Sequence, residues 1–578
     1  MKRLSLPVAA LALATFIGGC ASPEPRTPPS SPGAAAPPPR RNGPPDPTPM
    51  AAPAEPPLFT GLGTHSRRIT TSSPDAQRYF DQGLAFMFAF NHDESVRAFR
   101  KASELDPTCA MCEWGVAVAL GPHINDPLVS DEHAQEALAA LTKARERSAK
   151  AASPVETALI EAAGKRYAWP QPKERAPLDR AYAEAMGEVW AANPDDTDVG
   201  ALFAEAMMDL RPWDFWTDRG APQPGTDEIA KALDTVIAKA AQHPLANHLF
   251  IHLMEASRTP ESAEAAADRL RDLQPGLGHM VHMPSHIDVR LGHWGAAIVA
   301  NEKAIEADRR YREQRPRQGF YNLYMAHNRH LLTFAAMMTG QSARSIETIG
   351  EMVRLMPDEW KKDSAALADG FVGMPFEVLM RFGKWDDILA APEPPESMPI
   401  ARALRLYARG VARAATGKHA EARAERTAFL AARAKVPADA AFGNNPASAL
   451  LAVAEGVLDG ELAFQAGKHN AGLAHLRKAV AREDRLRYDE PPDWIQPVRH
   501  ALGAALLKAN RVGEAEAVYR QDLARHPGNV WSLHGLARSL ELQKTKAKEA
   551  AATRARLKNA AASADFPLRS SCACLPGV

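Results

Sequence analysis

From Tyr79 onward, apolar and small residues return every third or fourth position, in stretches of helical length that come in pairs. In "YFDQGLAFMFAFNHDESVRAFRKASELDP" (79–107), Tyr79, Gly83 and Phe86 mark one stretch and Phe99 and Ala102 the next, with a polar turn between and Pro107 at the end. Spacing of three and four keeps side chains on one face of a helix. A small residue such as Gly83 lets two helices approach closely, and an aromatic residue fills the gap between neighbouring pairs. Proline stops the second helix because it has no N–H to donate and disfavours helix in the residue before it. The predicted unit is a helical hairpin.

The frame recurs. "VGEAEAVYRQDLARHP" carries Ala515 and Tyr519 at the small and aromatic positions and ends at Pro527; "HWGAAIVANEKAIEAD" carries Ala297 and Ala304; "QSARSIETIGEMVRLMP" ends at Pro357 and "ESAEAAADRLRDLQP" at Pro275. The period is that of the tetratricopeptide repeat. Prolines and glycines interrupt any sustained heptad, which excludes a coiled coil. The composition agrees: Ala, Leu, Arg and Glu dominate after residue 70, and runs rich in Val, Ile and Thr are scarce. The expected fold is all-α, a tetratricopeptide-like α-solenoid of hairpins over 58–560, in which the first helices of successive pairs line a concave surface.

The ends read differently. Residues 1–19 have a basic start ("MKR") and a short apolar segment, and "IGGC" ends at Cys20. This is too short to span a membrane and has the form of a secretory signal. The end resembles the bacterial lipobox, which implies cleavage before Cys20 and lipidation of that residue; Ala21 in place of aspartate implies the outer membrane. Residues 21–57 hold 15 prolines, too little apolar surface to offset ordering, so 20–57 is expected to be a lipidated tether. No later stretch has 18 uninterrupted apolar residues, which leaves outer-membrane lipid, reached through that cysteine, as the expected anchor of an envelope protein facing periplasm or exterior. With 69 basic and 69 acidic residues the chain offers no argument for a nucleic-acid partner.

The other cysteines form two close pairs, Cys109 with Cys112 and Cys572 with Cys574, the second in a C-terminal tail at 561–578. Export favours disulfides, and the pairing stays open; one option staples the tail to the first repeat, and another is a four-thiolate metal site. Glu113 follows Cys112 where c-type haem attachment needs histidine.

As a whole the chain resembles bacterial exported or lipid-anchored tetratricopeptide proteins without an assigned activity. "CAMCEWGVAVALGPHIN", "ALFAEAMMDLRPWDFW", "ANHLFIHLMEAS", "HMPSHIDVRLG" and "YDEPPDWIQPVRHALGAALL" carry the resemblance. It implies a fold and an envelope location, and no mechanism.

Histidine supplies the candidate chemistry. In the hairpin frame, positions 2, 5, 9 and 12 or 13 of the first helix face the concave side. His248 and His252 take two of these in one repeat, with Glu255 beyond them. His279, His282 and His286 take three in the next, and His327 and His330 two in the one after. Seven of 19 histidines thus share one stripe. Glu205 and Asp209 flank it on the preceding helix and Glu377 on the following one. His92, His293, His419 and His469 fall at turns and are expected to have no role. Three readings fit: polar groove or core histidines satisfied by neighbours, a groove that grips an anionic or aromatic partner with histidine, arginine and tryptophan, and a transition-metal site; without metal the repeat would be a scaffold for a protein or peptide partner. Neutral imidazoles three or four apart can converge on zinc or copper, with Glu255, Glu205, Asp209 or Glu377 orienting ligands or moving protons. Met280 and Met283 should point into packing. "DLRPWDFW" could edge a pocket or pack as a loop, and "YDEPPDWIQPVRH" could close the far side of the groove or be an irregular connection. No phosphate loop, nucleophile elbow or His-Glu-x-x-His helix is present, so whether the chain is an enzyme stays open.

Overall fold

The computed structural model describes residues 56–217 and 220–577; the leader, Cys20 and most of the proline-rich stretch lie outside the described residues. The described chain is an α-solenoid of tetratricopeptide-like hairpins. Helices run from Pro74–Phe88 to Ala547–Ala560, and the only strands among the described residues are the two-residue pair Ala441–Phe442 and Asn445–Pro446. No helix among the described residues is long and apolar enough to cross a membrane.

The hairpins form as their residues require. In the first, Pro74–Phe88 packs on His92–Leu105. The fully buried Phe99 ring lies against both Gly83 and Gly115 of the next hairpin, where a Cβ would overlap it. Near the other end Tyr519 plays the same part between Gly503 and Gly535. The turns between paired helices place one residue in left-handed backbone. Glycine does this at Gly292 (φ 78°) and Gly340 (φ 77°) without steric cost. In the first hairpin the residue is Phe90, φ 55°, a conformation that costs an L-residue roughly 1–2 kcal/mol.

The array winds back on itself. Residues 58–73 cross from the first hairpin to later ones: the Gly276 N–H donates to the Gly61 carbonyl (2.8 Å), and Arg67 donates to Asp196 (2.8 Å). Glu94 pairs with Arg315 at 3.1 Å. In the other direction Trp294 donates to the Pro527 carbonyl, and Trp531 to that of Met337, each at 2.8 Å. The apolar core falls into two clusters that meet in the segment 277–338. This junction carries the histidines.

Candidate metal centre

The histidine stripe does not line an open groove. His248, His252, His279, His282 and His286 are all within 2 % of full burial, and only His327 is partly exposed. The winding of the solenoid fills its own concave side. Phe90 lies over the rings of His248 (4.5 Å between centroids), His279 (5.7 Å) and His252 (6.0 Å, planes 6° apart). Trp213 stands edge-on to His252 at 5.1 Å. Tyr488 reaches Glu255 from the opposite side, its hydroxyl donating to Oε2 at 3.1 Å. Trp213 is also left-handed (φ 60°), so two non-glycine residues adopt a costly backbone to put aromatic rings on the same imidazole. Strain of this kind persists where surrounding structure holds it, and it clusters at functional sites.

Four elements supply the candidate ligands. Pro244–Glu255 carries His248, His252 and Glu255; Gly278–His282 carries His279 and His282; Pro284–Leu291 carries His286; Asn322–Met338 carries His327. Two groups of three converge, His248 with His252 and His279, and His282 with His286 and His327; within each group one ligand atom per residue lies within 4.8 Å of the others. The groups adjoin, with ring centroids of His279 and His282 5.8 Å apart and those of His252 and His286 5.6 Å apart.

Their hydrogen bonds define the tautomers. His248 Nδ1 lies 2.7 Å from the Phe88 carbonyl, which can only accept. His282 Nδ1 lies 2.7 Å from Asn301 Oδ1, whose amide nitrogen already donates to the Ala297 carbonyl. His252 Nδ1 and His286 Nδ1 each lie 2.7 Å from one oxygen of Glu255. All four Nδ1 atoms therefore donate outward, which leaves Nε2 of His248, His252 and His282 as inward acceptors, while His286, whose pKa Glu255 raises, can carry a second proton on Nε2 and donate it to His282. His282 Nε2 faces His286 Nε2 at 2.7 Å, and His248 Nε2 faces His279 Nε2 at 3.1 Å. His252 Nε2 and His279 Nδ1 are buried with no partner. Two lone pairs at 2.7 Å repel unless a cation, proton or metal, lies between them. Imidazole–zinc bonds of about 2.0–2.1 Å place tetrahedral ligand nitrogens about 3.3 Å apart. The 3.1 Å pair is close to this, and the 2.7 Å pair must open slightly. The residues fit a metal: buried imidazoles, locked tautomers and unpartnered nitrogens.

Electrostatics agree. Burial, reinforced by neighbouring histidines, holds His248, His279, His282 and His327 well below the usual imidazole range, so these rings are neutral and able to ligate. Burial opposes charge on His286 as well, but Glu255 overrides it and raises this ring above its ordinary value. Burial alone would raise Glu255; His286 and His252 instead bring it down to about 2. Glu255 is thus a carboxylate shared between the two groups, with both oxygens engaged.

The other expected residues lie elsewhere. His330 turns its ring onto Phe371 (5.7 Å) and Phe442 (6.4 Å) and leaves the cluster, its Nε2 buried without a partner. Glu205 and Asp209 do not reach the imidazoles: Arg166, from another repeat, takes Asp209 at 2.6 Å, and burial, outweighing the opposing pull of that guanidinium, raises Glu205 to about 7. Glu377 is enclosed beside the Ile495 backbone and Glu483, and burial raises it to about 8. Met280 and Met283 are fully buried in the core. The "DLRPWDFW" stretch both packs and edges the site, since Trp216 donates to the Leu253 carbonyl at 2.7 Å while Trp213 covers His252. The cysteine staple to the first repeat does not form: Cys109 is joined to Cys112, and Cys572 and Cys574 are free.

Sequence reasoning missed several neighbours. His92 is no bland turn residue; its Nε2 is buried and its ring lies 4.4 Å from that of His123, which stacks on Phe90 at 4.5 Å. These residues, with Leu128 and His133, line a pocket of about 80 Å³, and Phe90 stands between His123 and His248. Asn301 had a legible signal, a polar residue one turn from Ala297 on the packed face of Trp294–Gln314. Phe90 had none; Tyr488 is the first residue of "YDEPPDWIQPVRH", the stretch named above for the far side of the groove.

Neither a protein-family model nor a curated protein sequence matches the chain. Among solved structures it is similar to the human IFIT1 dimer with m7Gppp-AAAA (13% identity, 86% of this chain and 92% of that one, TM-score 0.33). It is also similar to yeast Tom70 (12%, 84% and 90%, TM-score 0.30) and to the P58(IPK) TPR domain (10%, 82% and 99%, TM-score 0.20). These superpositions are loose, and the fold assignment stands on the hairpins themselves.

Proposed function

We propose that this protein is an envelope-anchored solenoid whose closed interior binds transition metal, one ion on each group of three histidines. The observation that carries the reading is the convergence of two groups of three imidazoles, their Nδ1 atoms held outward by fixed acceptors and their Nε2 atoms turned toward one another, with His252 Nε2 left without a partner. Copper or zinc suits imidazole, and copper has the higher intrinsic affinity. Three imidazoles per ion leave a coordination position for water or a small ligand. Glu255 has no free oxygen to act as a base, so its role is to orient His252 and His286 together. The apolar leader ending at Cys20 supports anchoring by outer-membrane lipid, and the repeat fold supports a protein or peptide partner on other faces. The histidines other than His327 are too buried to touch one.

The test replaces His282 and His286 with alanine. The metal reading expects metal content to fall. If content holds and only thermal stability of the chelator-treated protein falls, the rings are core residues and the reading fails.

A further inference from the structure

The C-terminal tail brings together a second set of ligand atoms, far from imidazole chemistry. Cys572 and Cys574 are free thiols, 1 % and 7 % exposed, and they meet Glu461 of the helix Ala447–Gln465, itself 1 % exposed. The two sulfurs and one carboxylate oxygen all lie within 4.8 Å of one another. Neither oxygen of Glu461 has a hydrogen-bond partner of good geometry. A buried carboxyl so weakly satisfied is costly, and the groups that face this one are the Cys574 thiol and the Gln465 amide.

The tail is held there by specific bonds. Arg381 donates to the Ser571 carbonyl at 2.9 Å, Ser571 Oγ donates to the His500 carbonyl at 2.8 Å, and Tyr519 shares a 2.7 Å hydrogen bond with Ser571 Oγ. Gln465 donates to the Cys574 carbonyl at 3.0 Å. Ala573, between the cysteines, packs on Gly383, where an added Cβ would stand a tight 3.2 Å from its own. The fold thus fixes both sulfurs against Glu461.

We propose that Cys572, Cys574 and Glu461 form a zinc site separate from the histidine centre. Two thiolates and a carboxylate carry three negative charges. A divalent ion leaves one, which the fully buried guanidinium of Arg381 beside Cys572 and Cys574 balances. A monovalent soft cation would leave two, and the hard carboxylate oxygen also favours zinc over copper(I). Binding moves the thiol protons and any proton on Glu461 to solvent. Without the ion, burial pushes Glu461 up to about 7, and the neighbouring Cys572 thiol and burial push Cys574 well above its usual value.

The probe is cobalt(II), added to the full chain purified under reducing conditions and freed of metal. Thiolate coordination gives a sulfur-to-cobalt charge-transfer band that histidine ligands do not. The expected result is that band at one cobalt per chain, retained in His279→Ala/His282→Ala, strongly weakened in Glu461→Gln, and absent in Cys572→Ser/Cys574→Ser. Zinc should displace the cobalt. Because the double serine variant could fail to fold, Glu461→Gln, which keeps both thiols, carries the test alone if need be. A wild-type protein with two titratable thiols and no charge-transfer band overturns the proposal. So does one in which Cys572 and Cys574 are recovered as a disulfide with one another even after reductive purification. Either outcome leaves the histidine centre untouched.

Discussion

Glu255→Gln is the sharpest single perturbation of the histidine centre. Glu255 is fully buried, 2.7 Å from both His252 Nδ1 and His286 Nδ1. An amide of the same shape can accept from one imidazole, but its NH2 meets the other Nδ1–H donor to donor. Burial acts to raise this carboxyl, and the two histidines outweigh it, bringing it from 4.5 to about 2. That difference corresponds to roughly 3 kcal/mol of native stability, present above the ordinary carboxyl pKa and lost as pH falls through the folded one. At about 2.1 cal/mol/K per residue, a chain of this size unfolding cooperatively has an entropy of roughly 1 kcal/mol/K, so Tm at neutral pH should drop by about 3 °C. Metal affinity should fall by about 10- to 100-fold, as for other residues that orient metal ligands. Calorimetry of chelator-treated protein reads the first, and competition with a chromophoric chelator reads the second. A variant with unchanged Tm and unchanged affinity would refute the assignment of Glu255 as the shared partner of both groups.

Other outcomes follow from the same structure. His248, His279, His282 and His327 have folded pKa values below their unfolded ones, so the unfolded chain takes up protons the folded chain refuses, and stability is lost as pH falls below about 6.5. His286 has the opposite sign: its contribution is present below that pH and lost as pH rises through its folded value. Buried carboxyls such as Glu205 and Glu377 act with the same sign as His286, so the test is a difference: Tm of metal-free wild type minus that of His279→Ala/His282→Ala should shrink from pH 7 to 5, and a constant gap by calorimetry contradicts this. Arg166→Met strands Asp209 and Glu205 and should cost about 3–5 kcal/mol in denaturant unfolding, yet leave metal stoichiometry intact; loss of metal would return those carboxylates to the centre. Phe90→Gly relieves left-handed backbone but removes a buried ring over three imidazoles, for a net loss of about 2–3 kcal/mol. It should speed metal removal by a chelator, and an unchanged rate would deny Phe90 its covering role.

Much of the fold is legible in the sequence because its determinants are local. Gly83, Phe99 and Pro107 announce a hairpin through their spacing, and the structure places the Phe99 ring against glycine as that spacing requires. The shared register of His248, His252, His279, His282, His286 and His327 is legible for the same reason, since spacing along one helix determines its face. What lies across from that face is set by the winding of the whole array. Arg166 reaches Asp209 from 43 residues away, and Tyr488 reaches Glu255 from 233; no local pattern encodes either. The expected open groove fails on the same point, because repeat spacing describes one hairpin while closure depends on small rotations accumulated over many. His330 shows the limit within a single helix: three residues after His327, it has turned far enough to meet Phe371 instead.

The most direct test of the central claim is elemental analysis of protein purified without a histidine tag, incubated with copper and zinc, and freed of excess by gel filtration. The comparison is between wild type and His279→Ala/His282→Ala, which removes one ligand from each group and leaves the tail cysteines unchanged. The account predicts two more metal ions per chain in the wild type. Equal metal content in the two proteins, with both folded by circular dichroism, would contradict it.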